Sequence, residues 1–576
     1  MAEEKDYLKS QSFLFSALKL LSEAVDAKDQ YTKGHSIRVK LYSLFIGEKL
    51  NLDKKNMTIL SFASELHDIG KIKIIDEILK KPGALTADEK LEIFRHPIYS
   101  IEIIGDIPFL EDVKSVIISH HEFYDGSGYP LSLSGEKIPL LSRIITVADV
   151  FDAMTSKRVY RKRSYSDRET INFLRRNSGK LFDKKIVDAF IECYEDGLIY
   201  FARGEYYMDI QRMDDALNEY KKSIERLKDK KMIYLALLRI GEIYNRWRNF
   251  NLAIEYLKRG MKKDNPYLKN FLVEISASYY YKDSIEKMNY YVEKALKEEL
   301  PFGQYLRTIK HKIIYLHRKG KPQEALELYR ELESKMIDYQ LNLEKKVVKF
   351  ETLGEETAEN LKVEIERSHI YDYVARIMKD LGFLNEAELL FEKSIELKTL
   401  YGDFLGKALS LGGLTDIYIF LKDYKKARDV AFEALKTSKL IKNTLGIILM
   451  NIKLCEIYSY MKDKENAKKY LLSLQFRLRK IKDLKYEHRF YYVKGVFNYE
   501  FGNIKEAIEN FQKVLSSTKN RIWQAFAKRY LGLCYENIDK KTGIRYLKSA
   551  LETFEEFSMR YISANVEDEI ERLKKG

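Results

Sequence analysis

Residues 67–71 read His-Asp-Ile-Gly-Lys, a compact set of groups for cutting a phosphate ester. Imidazole and carboxylate can hold a divalent metal, and a lysine ammonium is a point charge suited to a phosphoryl oxygen. One His-Asp pair says little by itself; the placement of the other histidines says more. Five of the nine precede residue 122, at His35, His67, His96, His120 and His121. After the histidine pair comes Asp125-Gly126-Ser127-Gly128-Tyr129-Pro130. A glycine-rich loop of this kind lets a ligand approach the backbone closely and offers a ring for base stacking.

These groups need elements to carry them, and the apolar spacing predicts helices. Phe13, Leu14, Leu18, Leu21 and Val25 mark a first helix over 7–28. A second starts at His35 and runs to about Leu50. A third over 57–68 delivers His67 and Asp68 at its C-terminal end, with Gly70 as the stop. Thr86 and Glu89 form a capping box before a fourth helix that carries His96 on its exit face. A fifth, about 110–122, ends in His120-His121-Glu122, and a sixth over 139–156 carries Asp149. Ser166 and Glu169 cap a seventh, and Asp183 opens an eighth. Neighbouring residues on a helix diverge by about 100°, so His120 and His121 share one site only if it is extended, as a pair of metals would be. No strand alternation emerges, and the fold class is all-α.

A chain of 576 residues is too long for one core, so two or more domains are expected. Three separated cysteines, without a C-x-x-C pair, argue against a zinc-thiolate site and for a reducing cytoplasm. Neither a signal core nor a membrane span is legible. The net charge of +14 is unevenly held: residues 1–200 contain 30 Lys+Arg and 31 Asp+Glu, leaving 71 against 56 for the rest. Because both signs are interspersed there, the excess reads as a lysine-rich solvated helical surface, and nucleic acid is not the expected partner.

Proline divides the chain too: five of eight fall before residue 140 and none follows Pro322. The boundary is placed near 197–204, giving domains 1–198 and 199–576. Beyond it, small residues recur at Ala216, Ala253, Ala325, Ala387, Ala427, Ala467 and Ala507, often with an aromatic four residues on (Tyr220, Tyr329, Phe391, Phe511). Gly204/Tyr207, Gly241/Tyr244 and Gly532/Tyr535 precede them in the partner helices. This pattern resembles tetratricopeptide repeats. It implies an α-solenoid of eight or nine helix pairs, degenerate near 272–298 and loosened by an insertion around 335–368, with a capping helix over 560–575. The spacing of 40 from Ala387 to Ala507 suggests extended helices. Such an arm is expected to dock a protein partner, still unidentified, or a second copy of the chain. His311, His317, His369 and His488 lack ligand spacing and read as surface or packing residues.

The ordered motifs of the first 200 residues, His35, HDIGK (67–71), His96-Pro97, HHEFYDGSGYP (120–130) and VADVFDAMTS-K-R-V-Y-R (147–161), with KPG-x-L-T (81–86) and G-x-L-F-D (179–183), resemble the HD-GYP domain. That branch of the HD phosphohydrolase superfamily linearises cyclic di-GMP. The resemblance implies an HD-type helical bundle in which His35, His67, Asp68, His96, His120, His121 and Asp149 hold two divalent ions, iron or manganese. Asp68 would bridge them, and Asp68 with Lys71 would be the catalytic pair. Lys71, Tyr129, Pro130, Asp152, Arg158 and Arg161 would contact substrate. Val159 stands where the family usually has proline. Tyr31 stands where three-metal members place a carboxylate, hence two ions. The product would be linear pGpG, with a further cut to GMP left open. The competing expectations are another cyclic dinucleotide or nucleotide phosphoester as substrate, and a non-catalytic dinucleotide-binding scaffold.

Overall fold

The computed structural model describes residues 21–22, 25, 34–81, 83–107, 110–156, 163–345, 353–481 and 486–575. The predicted first helix lies almost wholly outside them. Among the described residues there is no strand, only one isolated bridge between Ser178 and Phe182. Among the described residues no helix is long and apolar enough to cross a membrane. Contacts divide the chain into two units, residues 1–283 with 345–357, and residues 284–344 with 358–576.

The first unit opens with α1 (His35–Lys49) and α2 (Lys54–Leu66), followed by a 3-10 turn over Ile69–Lys73 and the single turn α3 (Asp76–Leu79). Then come α4 (Ala87–Phe94), α5 (His96–Ile104), α6 (Glu111–Ile117), α7 (Leu140–Thr155), α8 (Asp167–Arg176) and α9 (Lys184–Glu195). The caps are where local chemistry demands them. Thr86 with Glu89 and Ser166 with Glu169 each exchange both bonds of a capping box, and Asp183 caps α9.

Two expected helices are shorter than predicted. His96 does not ride the exit face of α4: Arg95 ends that helix and Pro97 helps start a new one, with His96 as its first residue. Likewise α6 stops at Ile117, so His120 and His121 sit in the turns beyond it. Gly70 is not a helix stop of the left-handed kind either. A Cβ there would lie 2.1 Å from the His96 carbonyl oxygen and 2.5 Å from Ser100 N, so the absent side chain lets the 3-10 turn touch the start of α5.

The unit continues with α10 (Leu198–Asp209), α11 (Met213–Ile224), α12 (Lys230–Arg246), α13 (Phe250–Arg259) and α14 (Leu268–Tyr281). One hydrophobic core runs from Val39, Tyr42 and Leu60 in α1 and α2, through Phe151 and Phe190, to Ile199, Tyr220, Ile240 and Ala253.

In the second unit, helices start at residues 384, 404, 424, 444 and 464. Four of them are 17 residues long, and short turns between them make up the 40-residue repeat of the sequence. Ala387, Ala427, Ala467 and Ala507 are fully buried. Glycines of the facing helices admit bulky rings: a Cβ on Gly413 would lie 2.3 Å from Phe391 and one on Gly495 2.6 Å from Phe511. Instead of a loose insertion around 335–368, the described part lies in two long helices, Pro322–Lys345 and Leu353–Leu381. The helix Arg560–Lys575 buries Ile562, Val566, Ile570 and Leu573.

Candidate metal centre

Seven side chains converge from the ends of α1, α2, α5 and α6 and from the inward face of α7. Asp68 is at the middle. Its Oδ2 is 3.6 Å from His35 Nε2 and 3.5 Å from His67 Nε2, and its Oδ1 is 3.2 Å from His96 Nε2. Asp149 lies opposite, with Oδ1 3.2 Å from His35 Nε2 and Oδ2 3.8 Å from His121 Nδ1. The Nε2 atoms of His96 and His120 are 3.3 Å apart. Two groups of ligand atoms result, His35/His67/Asp68 and Asp68/His96/His120/His121, each with its atoms within 4.8 Å of one another. Asp68 belongs to both.

Helix endings aim the rings. His67 Nδ1 is 2.9 Å from the Ser64 carbonyl, His96 Nδ1 2.7 Å from that of Ile93, and His120 Nδ1 2.6 Å from that of Ile117. Each acceptor lies three residues back, in the last turn of α2, α4 or α6, where carbonyls lack a helical partner. A proton donated there from Nδ1 leaves the Nε2 lone pair facing the centre. His35 is held differently: its Nδ1 is 2.8 Å from Asp152 Oδ2. Ser100 ties the backbone together, accepting from Gly70 N at 2.9 Å and donating to the His67 carbonyl at 2.8 Å.

The atoms present fit a cation. His35 Nε2, His67 Nε2 and Asp68 Oδ1 are buried without a hydrogen-bond partner. Left unmatched, such atoms cost about 1–3 kcal/mol each, and coordination would satisfy all of them. Protonation states agree with this. Burial, and then neighbouring histidines, hold His120 well below its ordinary value and push His121 down to about 3. Burial lowers His67 despite the opposing pull of Asp68. Burial opposes ionisation of Asp68, but Lys71 and His67 outweigh it and keep the carboxylate well below its usual range. Asp149 is lowered in the same way by His35. His35 is the exception: burial works against its charge, yet Asp149 and Asp152 raise it to about 9.

Lys71 reaches in from the 3-10 turn, its Nζ 2.5 Å from Asp68 Oδ2. The Tyr129 ring stacks on Phe94 at 4.0 Å and lies 4.8 Å from the His121 ring, and a cis peptide joins Tyr129 to Pro130. Gly128 is required by close approach: a Cβ would lie 2.3 Å from Phe123 N and 2.5 Å from the His121 carbonyl oxygen. Glu122 secures the loop by accepting from Leu131 N at 2.6 Å and Leu133 N at 3.0 Å. Asp152 is not open to a ligand: it is 1% exposed, with both oxygens engaged by His35 and Arg38. Arg158, Arg161 and Tyr31 lie outside the described residues. The sequence reading missed Arg38 and Phe94. Pro97, immediately after His96, was the available signal for the helix break that brings Phe94 to Tyr129.

The HD domain family model matches residues 19–186, and a tetratricopeptide repeat model matches residues 488–521. Over 176 residues the chain is 39% identical to the "Cyclic di-GMP phosphodiesterase response regulator RpfG" of Xanthomonas campestris, covering 30% of this chain and 46% of that protein. A "Cyclic di-GMP phosphodiesterase" of Thermotoga maritima is 36% identical over 191 residues, 33% of this chain and 52% of its own length. A "3'3'-cGAMP-specific phosphodiesterase 2" of Vibrio cholerae is 36% identical over 178 residues, 31% and 34% of the two chains. The chain thus spans about half the length, or less, of these relatives. The molecule carries an HD domain over residues 19–186 and a tetratricopeptide repeat over residues 488–521, in an all-α chain.

Proposed function

We propose that this chain is a cytoplasmic, metal-dependent phosphodiesterase that opens cyclic di-GMP to linear pGpG. Residues 1–198 would form the phosphohydrolase domain and 199–576 an arm that docks a protein partner or a second copy. The observation that carries the reading is the Asp68 carboxylate, common to two groups of imidazoles. A carboxylate so shared would suit a pair of divalent ions. His35, His67 and Asp68 would hold one, and Asp68, His96, His120 and His121 the other, with Asp149 completing the set. Nitrogen and oxygen donors of this kind suit iron or manganese.

Bound there, the ions would supply an activated water and positive charge at the scissile phosphate. Lys71 would neutralise charge developing on the phosphoryl oxygens. Tyr129, stacked on Phe94, and Pro130 would shape the guanine-binding side. Arg158 and Arg161 would grip the second phosphate, so that binding away from the scissile bond fixes the geometry of attack. Asp152 takes a different part from the substrate contact first expected, since its carboxylate faces His35 and Arg38.

Incubating the manganese- or iron-loaded protein with cyclic di-GMP and separating the products tests the proposal. Linear pGpG is expected from the wild type and none from His67→Ala/Asp68→Ala, with helical circular dichroism retained. Hydrolysis by that double variant would falsify the assignment. A second reading changes only the substrate, as the relative named for 3'3'-cGAMP suggests; comparing kcat/KM for the two cyclic dinucleotides decides between them.

A further inference from the structure

His35 is oriented by a chain of contacts that leaves the ligand cluster and ends on α10, the first helix beyond the bundle. Asp152 Oδ2 accepts from His35 Nδ1 at 2.8 Å. Arg38, one turn along α1, grips the same carboxylate with a fork, Nε to Oδ1 at 2.7 Å and Nη2 to Oδ2 at 2.9 Å. The guanidinium carbon of Arg38 lies 4.5 Å from the centroid of the Tyr206 ring. That ring also fills the space beside Gly34, where a Cβ would stand 1.9 Å from Tyr206 Cε2. Gly34 has φ +72° and is the N-cap of α1, so the ring abuts the turn from which His35 emerges. His35, Asp152, Arg38 and Tyr206 are all at least nine-tenths buried.

The helix carrying Tyr206 is itself anchored. Arg203, one turn earlier, pairs with both oxygens of Asp167 at 2.7 and 2.8 Å and reaches Tyr42 Oη at 3.3 Å. A guanidinium fork holds a carboxylate in one plane, and an aromatic face beneath it restrains the fork in turn. The orientation of the His35 ring therefore depends on a residue outside the matched HD segment, which ends at 186.

We propose that Tyr206 is a positioning residue for the metal centre: by bracing Gly34 and Arg38 it fixes Asp152, and through it the coordinating nitrogen of His35. The inference rests on the metal-centre reading above. It makes the placement of α10 a determinant of metal affinity. Residues acting at one remove on a metal ligand typically change affinity by about 10–100-fold, and Tyr206→Ala should fall in that range.

The test is isothermal titration of the metal-free full chain with Mn²⁺, alongside kcat and KM for cyclic di-GMP. Tyr206→Ala should weaken Mn²⁺ binding by about tenfold or more and lower kcat at limiting metal, with KM little changed. Tyr206→Phe, which keeps the ring under Arg38 and beside Gly34, should recover most of the affinity. Should Tyr206→Ala fail to fold, Arg38→Lys decides, since it keeps the charge and removes the fork; it too should bind Mn²⁺ more weakly. Wild-type Mn²⁺ affinity in a folded Tyr206→Ala, or in Arg38→Lys where the former does not fold, overturns the proposal. A wild type that binds Mn²⁺ but leaves cyclic di-GMP intact would count against the substrate reading alone, and the Mn²⁺ affinities would still decide this one.

Discussion

In the bundle, buried imidazoles and carboxylates crowd together, and three of their polar atoms, on His35, His67 and Asp68, are buried without a hydrogen-bond partner. The second unit buries charge as well, but pairs it. Lys398, 3% exposed, donates to Ser410 Oγ at 2.8 Å, and Ser410 donates to Asp372 Oδ1 at 2.6 Å. Asp372 also accepts from Arg376 Nε at 3.0 Å. Unmatched buried atoms do occur there, on Gln304, Arg367, Ser438, Arg477, Arg489, Asn510 and Ser563, each on a different helix. A polar network that closes on itself holds helices in register. One that leaves several atoms open toward a common point is built for something else to complete it.

The contrast is broken most sharply by removing one carboxylate from each region. Asp68→Ala should abolish turnover and metal binding while leaving the thermal midpoint of the metal-free protein within a few degrees. Asp372→Ala should do the reverse. It leaves Lys398 and Arg376 without their anion, which for a mostly buried group costs about 3 kcal/mol, and urea unfolding would read that loss with the metal stoichiometry unaltered. Equal effects of the two substitutions on metal content would erase the distinction.

A glycine from each region makes the next comparison. Gly70→Ala would drive a methyl into the backbone at His96 and Ser100, separating Asp68 from His96. The expected result is at least tenfold weaker Mn²⁺ binding, of the size seen when a metal ligand's support is lost (about 10–100-fold). Gly495→Ala would meet the Phe511 ring and cost about 1–3 kcal/mol through overpacking, with unchanged kcat.

Proton release sharpens the picture from another side. The folded metal-free protein holds the His35 proton up to about pH 9, against an ordinary value of 6.5. A raised folded value means that the proton's contribution to stability is complete below pH 6.5 and disappears as the pH climbs through about 9. A metal must displace that proton, so affinity should rise with pH across this window and level off above it. Calorimetry at pH 7.5 in buffers of different ionisation enthalpy should show about one proton released per chain. The smallest effect is expected at Lys422, which has φ +59° in a turn between two helices. Lys422→Gly should raise stability by up to about 1 kcal/mol and change nothing at the metal centre.

Local chemistry was legible in the sequence wherever a few adjacent residues decide the outcome. Thr86 with Glu89 and Ser166 with Glu169 specify their own caps. The 40-residue spacing of Ala387, Ala427, Ala467 and Ala507 reports helices of constant length. Where the sequence misled, long-range packing decides. Nothing between Ile117 and His120 announces a helix end, because neither glycine nor proline stands there. Gly70 looked like a terminator, yet its lack of a side chain serves a neighbour thirty residues away. Asp152 sits in a motif beside Asp149, and only the fold shows that one carboxylate faces the ligand cluster while the other faces Arg38.

The single core that continues from Tyr42 to Ala253 has a practical outcome for anyone dissecting the protein. Composition invites a cut near residue 198, but Ile199 and Phe201 are buried against the bundle, each contributing about 1.5–3 kcal/mol. A shortened protein ending there would present a raw apolar flank to solvent and self-associate, whatever its metal ligands were capable of. Fragments meant to retain the first region intact should instead extend beyond α13.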